Sequence, residues 1–181
     1  MKYDNLLKFF ASIIICEMAG AVGAVFTTPE INSWYKSLNK PSFNPPNWIF
    51  GPVWTTLFVL MGISLYLVWS KKFIVRNELK LPKRKAWNPW SQNFLSGSLK
   101  KANIILIFIL QLVLNILWSV IFFGTHSAGA AFFELLMLWF AIIFTIINFY
   151  RVSKVSAWLL LPYILWVSFA GILNLAIFLL N

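Results

Sequence analysis

Five long apolar stretches constrain the fold of this chain more than any other feature of its sequence. A helix needs about 20 consecutive, mainly apolar residues to cross the hydrocarbon core of a membrane. Stretches of this kind cover residues 6–27, 52–70, 102–124, 128–150 and 156–180. Their hydrophobicity is continuous, whereas the strands of a membrane β-barrel alternate apolar and polar residues. The sequence therefore predicts an all-α integral membrane protein in which residues 1–181 form one domain, a bundle of five transmembrane helices.

The charge of the chain is explained by its position relative to the membrane. Charged residues make up 11% of the sequence, against about 25% in a soluble domain. Most of the net charge of +10 lies in the N-terminus and in the second and fourth loops, which five spans place on one side. The basic residues of the opposite side are Lys36 and Lys40. Basic loops stay on the cytoplasmic side of a membrane. Because this rule accounts for the positive charge, we expect no nucleic-acid partner.

The same charge rule predicts the orientation of the chain. The N-terminus is expected inside, and the first loop and the C-terminus outside. We expect a prokaryotic cell membrane, or an organelle membrane if the protein is eukaryotic. Lys8 and Glu17 interrupt the first apolar stretch, so we interpret it as a retained helix and not as a signal peptide. The single cysteine, Cys16, lies within this stretch and excludes an intramolecular disulfide.

Prolines and tryptophans concentrate between Trp34 and Gly62, in the segment WYKSLNKPSFNPPNWIFGPVWTTLFVLMG. Four of the eight prolines and three of the ten tryptophans of the chain fall there. Each proline removes a backbone donor and pushes its predecessor toward extended geometry. Pro52 is tolerated if it stands in the first turn of the second span. We predict an ordered Pro/Trp-rich loop up to Pro52 that caps a cavity for a flat, apolar ligand at the end of the bundle.

A series of short motifs runs along the chain in a fixed order. In the proline-rich segment they are Trp34-Tyr35, Lys40-Pro41, Phe43, Pro45-Pro46, Trp48, Pro52-Val53-Trp54-Thr55, Leu57 and Met61-Gly62. Downstream they are Gln111-Leu112, Leu114-Asn115, Trp118-Ser119, Phe122-Phe123-Gly124, Leu161-Pro162-Tyr163, Trp166, Ala170, Leu173 and Asn174. In these motifs the chain resembles the TspO/MBR family, also called the tryptophan-rich sensory protein, translocator protein or peripheral benzodiazepine receptor family. The resemblance covers nearly the whole chain, except an insertion between Trp69 and Ile104, and it implies a homodimer.

The resemblance also implies a set of ligand-binding residues. Trp54 in the second span and Trp166 in the fifth are the two tryptophans expected to face a bound tetrapyrrole. The other residues expected to contact the ligand are Tyr35, Pro45, Phe58, Gln111, Asn115, Trp118 and Ala170.

The residues themselves support part of this set. Gln111, Asn115 and Trp118 recur at helical spacing, so their common face should point into the bundle, away from lipid. The two amides either hydrogen-bond a ligand or tie neighbouring helices together. Lys40 either pairs with a propionate at the rim of the cavity or is an ordinary interfacial lysine.

Three functions fit these features. The first is a membrane receptor or carrier that binds a porphyrin, such as protoporphyrin IX or haem, and requires no other cofactor. The second is light-dependent degradation of protoporphyrin, with Trp54 and Trp166 as the candidate catalytic residues. The third is binding or transport of lipids, isoprenoids or sterols. The sterol interpretation is disfavoured because the C-terminus lacks the tyrosine and basic residue of the cholesterol pattern in animal relatives.

Other chemistry finds little support in the sequence. No Ser-His-Asp set, pair of catalytic carboxylates or nucleotide-binding glycine loop is visible. We therefore expect a binding protein, with the photochemical reaction as the enzymatic alternative. His126 has no second histidine or cysteine near it in the sequence, so we predict no metal site and interpret it as a surface residue.

Two further features each have two interpretations. Glu17 lies on one face of the first span with Gly20 and Ala24. It is either a proton-linked or ligand-contacting carboxylate, or a structural residue beside a neighbouring helix, which is the interpretation we prefer. The basic segment 71–101 suits contact with anionic lipid headgroups, to which each basic residue contributes about 1 kcal/mol. It is otherwise an enlarged cytoplasmic loop without a specific partner.

Overall fold

The structure, a computed structural model, describes residues 2–71 and 97–181. Its helices are α1 (Lys2–Glu30), α2 (Trp34–Ser37), α3 (Asn47–Trp69), α4 (Gly97–Ser119), α5 (Ala128–Val152), α6 (Lys154–Leu159) and α7 (Leu161–Leu180). A π-helical turn, Val120–Gly124, continues α4. The segments long and apolar enough to cross a membrane are Tyr3–Glu30, Asn47–Trp69, Ala102–Gly124, Ala128–Val152 and Lys154–Leu180. The predicted five-helix membrane fold is confirmed, while most of the basic segment 71–101 lies outside the described residues.

Successive spans run in opposite directions, and contacts at both ends of the bundle show it. At one end, the Asn181 side chain accepts a hydrogen bond from the backbone N–H of Asn39 at 2.9 Å and donates to the Asn39 carbonyl at 3.0 Å. At the other end, Lys71 donates to the carbonyl of Val152 at 3.0 Å. We call these the loop end, which carries α2 and the C-terminus, and the basic end.

The helices α1 and α3 pack closely because glycines stand at their contacts. A methyl group placed on Gly62 would lie 2.6 Å from the Cα atom of Ile13, so the α1 backbone passes directly over this position. A methyl group on Gly20 would lie 2.4 Å from a ring carbon of Phe58. Small residues of this kind let helix backbones approach closely in membranes. Gly62 thus permits a close crossing of α1 and α3.

Two prolines mark irregular points in the spans. Pro52 was expected in the first turn of the second span, but α3 begins at Asn47 and Pro52 lies in its interior. The Pro45-Pro46 pair ends the extended segment, and the helix begins after it. Pro52 has no N–H, so the helix lacks one backbone hydrogen bond, the one to the carbonyl of Trp48 near the exposed start of the helix. In the last span, α6 ends and α7 begins around Leu160, with Pro162 in the first turn of α7. The break accompanies this proline, which lacks the N–H that a continuous helix would need.

Candidate functional site

A cavity of about 530 Å³ occupies the half of the bundle nearest the loop end. Its wall is formed by residues of α1 between Glu17 and Thr28, by Ile31 just after α1, by residues 47–58 of α3, 115–123 of α4 and the π turn, and 166–177 of α7, with Tyr35 of α2 above them. Ligand sites for small molecules usually have volumes of about 300–1,000 Å³. The cavity is therefore large enough to enclose a drug-sized or larger flat ligand.

The cavity opens sideways between the loop-end halves of α1 and α3. Ala24, Gly51 and Thr55 line it and are exposed on the surface of the bundle. Nothing lies within 4 Å of a methyl group placed on Gly51. The opening thus faces the lipid-exposed side of the helices, so that an apolar ligand can reach the cavity from the hydrocarbon phase.

Stacked aromatic rings form the walls of the cavity. The indole of Trp54 stacks on Phe58, with ring centroids 5.6 Å apart and an interplanar angle of 28°. The indole of Trp118 stacks on Phe122 at 5.1 Å and 18°. On α7, Trp166 meets the edge of Phe50 at 5.9 Å. Flat π faces of this kind favour a planar, apolar ligand.

The π turn at the end of α4 brings two consecutive aromatic residues into the wall. The backbone N–H of Thr125 donates to the carbonyl of Val120 at 3.1 Å, a bond that encloses one residue more than an α-helical turn does. Phe122 and Phe123 are both buried and both line the cavity. Single π turns occur often at functional sites, and this one directs two adjacent rings inward where an α-helix would separate them by about 100°.

Several polar groups of the wall already have partners on the protein. Trp118 donates its indole N–H to Asn174 at 3.1 Å, and Asn174 donates to the carbonyl of Ala128 at 2.7 Å. Among the described residues, two buried wall atoms have no hydrogen-bond partner: Oε1 of Glu17 and Nε1 of Trp166. Such atoms take a partner from water or from a ligand that fills the cavity.

Tyr35 forms the lid over the cavity. Its ring is buried, and its hydroxyl donates to the side-chain oxygen of Asn44 at 2.9 Å. Burial raises the pKa of the Tyr35 phenol, and the bond to Asn44 partly opposes that shift, so the phenol is neutral at physiological pH. Lys40 lies 4.6 Å from the centre of the Tyr35 ring and donates to the carbonyls of Lys36 and Leu38. These contacts hold the lysine against the lid at the cavity rim.

His126 is more ordered than the sequence suggests. Its imidazole stacks on Trp34 at 4.5 Å and 17°, and its Nε2 lies 3.2 Å from Oε2 of Glu30. The same carboxylate oxygen accepts a hydrogen bond from Ser33 at 2.8 Å. Trp34 in turn meets the edge of Phe122 at 5.3 Å. This cluster joins the end of α1, the lid and the loop after the π turn at the cavity mouth.

Seven of the nine residues expected to contact a ligand line this cavity: Tyr35, Trp54, Phe58, Asn115, Trp118, Trp166 and Ala170. Gln111 and Pro45 lie outside its wall. Gln111 is buried one turn further from the loop end, where its side-chain oxygen accepts a hydrogen bond from the hydroxyl of Tyr163 at 2.9 Å. Of the two roles left open for the amides, Gln111 has the interhelical one. Asn115 both lines the cavity and donates to Tyr163 at 3.1 Å.

The contribution of α1 to the wall agrees with the interpretation of Glu17 that we did not prefer, a carboxylate that contacts a ligand. Glu17, Gly20 and Ala24 were placed on one face of the first span, but as helix-packing residues. That face borders the cavity and extends to Thr28 and Ile31. Small residues at helical spacing do indicate a close approach of two helices, but they do not show where that approach ends and a cavity begins.

The fold and the site define a class: a polytopic α-helical membrane protein with a lidded, aromatic cavity between its helices. A profile of the TspO/MBR family matches residues 12–180. The chain belongs to this family. It is 41% identical to a tryptophan-rich protein TspO of Archaeoglobus fulgidus, over 98% of this chain and 99% of that protein. It is 33% identical to the protein CrtK of Rhodobacter capsulatus (98% and 94% of the two chains) and 37% identical to the translocator protein of Homo sapiens (84% and 78%).

Proposed function

We propose that this membrane protein is a receptor or carrier that binds porphyrins in its aromatic cavity. The observation that carries the proposal is the cavity wall itself, in which Trp54 on Phe58 and Trp118 on Phe122 present stacked rings around a space of about 530 Å³. Each aromatic contact contributes about 0.5–1.5 kcal/mol beyond the area it buries. Several such contacts on both faces of a macrocycle are consistent with micromolar binding, which corresponds to about −8.2 kcal/mol.

The test is a titration of the purified protein with protoporphyrin IX in lipid nanodiscs, followed by tryptophan fluorescence in the dark. The wild type is expected to show saturable quenching. Trp54→Phe and Trp166→Phe should each weaken binding by about three- to tenfold, or about 0.7–1.4 kcal/mol, because the phenyl ring offers less stacking area than the indole and lacks its N–H group.

Trp158 provides the matched control, because it lies at the basic end, exposed on the bundle surface and outside the cavity wall. Trp158→Phe should leave the dissociation constant unchanged. Quenching that rises without saturation, or that weakens equally in all three variants, would show partitioning into lipid and would contradict the proposal.

The same samples separate the two alternative functions. Illumination of the porphyrin complex should change its absorbance only if light-dependent degradation occurs, and the loss of that change in Trp54→Phe or Trp166→Phe would assign the reaction to these indoles. Addition of an isoprenoid alcohol or a sterol should displace bound porphyrin only if the cavity also accepts lipids. The absorbance change would add an enzymatic function to porphyrin binding. Displacement by a lipid would add lipid binding to it or replace it as the main function.

We also propose that the loop end faces the outside of a cell membrane and the basic end the cytoplasm. The single cysteine, Cys16, is fully buried, so an introduced cysteine is the reactive one. A membrane-impermeant maleimide is expected to label Lys36→Cys in intact cells, and to label Lys154→Cys only after permeabilisation. Both residues are exposed, one at each end. The reverse pattern would show that the orientation is inverted.

A further inference from the structure

Glu17 is a carboxylic acid in the wall of the cavity, at the end furthest from the lid. It precedes Glu30, the last residue of α1, by thirteen residues, which corresponds to about 20 Å along the helix axis. Glu17 also lies one turn below Gly20, at the level where Phe58 crosses α1. Among the described residues that line the cavity, there is no lysine, arginine or histidine. An acid therefore stands at the deep end of the cavity without a basic residue beside it.

The carboxyl group of Glu17 has no partner within residues 2–71 and 97–181. Its Oε1 atom is buried and makes no hydrogen bond, although leaving a buried polar group unpaired costs roughly 2–7 kcal/mol in an apolar medium. Ionisable residues inside membrane spans are rare for this reason and usually serve a function. The last torsion of a glutamate is broad and nearly two-fold, so rotation exchanges the two oxygens and lets the group meet a donor that enters the cavity.

Among the described residues, the indole Nε1 of Trp166 is the other buried wall atom without a partner, but it is a donor. Further polar side chains of the wall are bonded within the protein. The Thr27 hydroxyl donates to the carbonyl of Gly23 at 3.1 Å, and Asn115 is bonded to Tyr163. These groups are satisfied without a ligand. Glu17 is thus an acceptor-bearing side chain that the fold places against the cavity and leaves unpaired.

We propose that Glu17 is the hydrogen-bonding recognition residue of the cavity, and that it selects flat, apolar ligands that carry an N–H or O–H group on the edge that enters first. The proposal rests on the cavity being a ligand site, as proposed above. A carboxyl oxygen accepts a hydrogen bond from such a donor. An anionic group would instead lie beside an acid in a medium of low dielectric, which is unfavourable. A porphyrin consequently binds with its propionates turned toward the loop end, where Lys36 and Lys40 lie.

The test compares carbazole with dibenzofuran, two flat tricyclic compounds of closely similar shape, of which only carbazole has an N–H group. Each compound is titrated into the full chain in nanodiscs, and empty nanodiscs are measured alongside to subtract partitioning. The wild type should bind carbazole about tenfold more tightly, the effect expected of one hydrogen bond to an acidic group. Glu17→Leu should remove this preference by weakening carbazole binding while dibenzofuran binding persists.

Two further variants refine the comparison. Glu17→Gln keeps a side-chain oxygen that accepts a hydrogen bond, so it should retain most of the preference. Asp4→Asn changes an acid of the same helix that is exposed at the basic end and lies outside the cavity wall, and it should bind both compounds as the wild type does.

The outcomes that overturn the proposal are distinct from those that overturn porphyrin binding. A preference for carbazole that survives Glu17→Leu, the loss of both compounds in Glu17→Leu, or no saturable carbazole binding by the wild type would reject the role of Glu17. Titration of the same samples with protoporphyrin IX provides the second readout. Saturable porphyrin binding beside an unchanged preference rejects the role of Glu17 alone, whereas the absence of porphyrin binding rejects the proposed function.

Discussion

Gly62→Ala is expected to destabilise the folded protein by about 2 kcal/mol or more, the range typical of overpacking a close contact. The added methyl group would lie 2.6 Å from the Cα atom and 3.0 Å from the backbone nitrogen of Ile13. A side chain could rotate away, but the backbone of α1 can relieve this contact only by moving away from α3. Because Cys16 is the single cysteine and is fully buried, the reaction of its thiol with a maleimide dye during SDS titration reports the unfolding.

Gly51→Ala is the matched control for this effect. Gly51 lies on the same helix, and nothing stands within 4 Å of a methyl group placed on it. Alanine should therefore leave stability unchanged or raise it by up to about 1 kcal/mol, because glycine is the poorer helix former. If both variants unfold at the same SDS fraction as the wild type, α1 and α3 do not pack as closely in the membrane as described here.

Tyr163→Phe is expected to cost about 1–2 kcal/mol of stability through the loss of two interhelical hydrogen bonds. The Tyr163 hydroxyl donates to Gln111 at 2.9 Å and accepts from Asn115 at 3.1 Å, and all three side chains are buried. Phenylalanine keeps the ring and its edge contact with Trp54, so the change removes the bonds and little else. The measurement is again SDS unfolding, followed through the Cys16 thiol.

Tyr150→Phe controls for the loss of a tyrosine hydroxyl, since Tyr150 is half-exposed on the bundle surface and should tolerate the change. In a second variant, Gln111→Met is added to Tyr163→Phe. It removes an amide that would otherwise be left unpaired, and part of the lost stability should return. Equal stability of Tyr163→Phe and the wild type would show that water or lipid replaces the hydroxyl at this position.

The architecture could be predicted from the sequence because a bilayer imposes a simple length rule. Each of the five apolar stretches is long enough to cross a bilayer, and each corresponds to a candidate membrane-spanning helix in the structure. Helical spacing also indicated inward faces, as the positions of Asn115 and Trp118 on α4 show. Such inferences depend on one helix at a time, which a single sequence describes well.

Features that depend on several helices at once could not be predicted in the same way. Gln111 and Asn115 share a face, but only their depth relative to Tyr163 decides that Asn115 borders the cavity and Gln111 does not. The contact between His126 and Glu30 joins residues 96 positions apart, and no local sequence pattern predicts it. The α1 wall of the cavity is likewise defined by where α3 diverges from α1.

The way the cavity is divided among the spans has a consequence for the biosynthesis of the protein. One wall comes from α1 and the opposite one from α7, and the Asn39–Asn181 contact joins the lid to the end of the last helix. Chains are synthesised from the N-terminus, and their early parts fold first. The cavity faces of the first span and the lid are therefore exposed to lipid until the last span has been inserted. The cavity is thus completed late, and a chain interrupted before α7 lacks the wall that carries Trp166, Ala170, Leu173, Asn174 and Ile177.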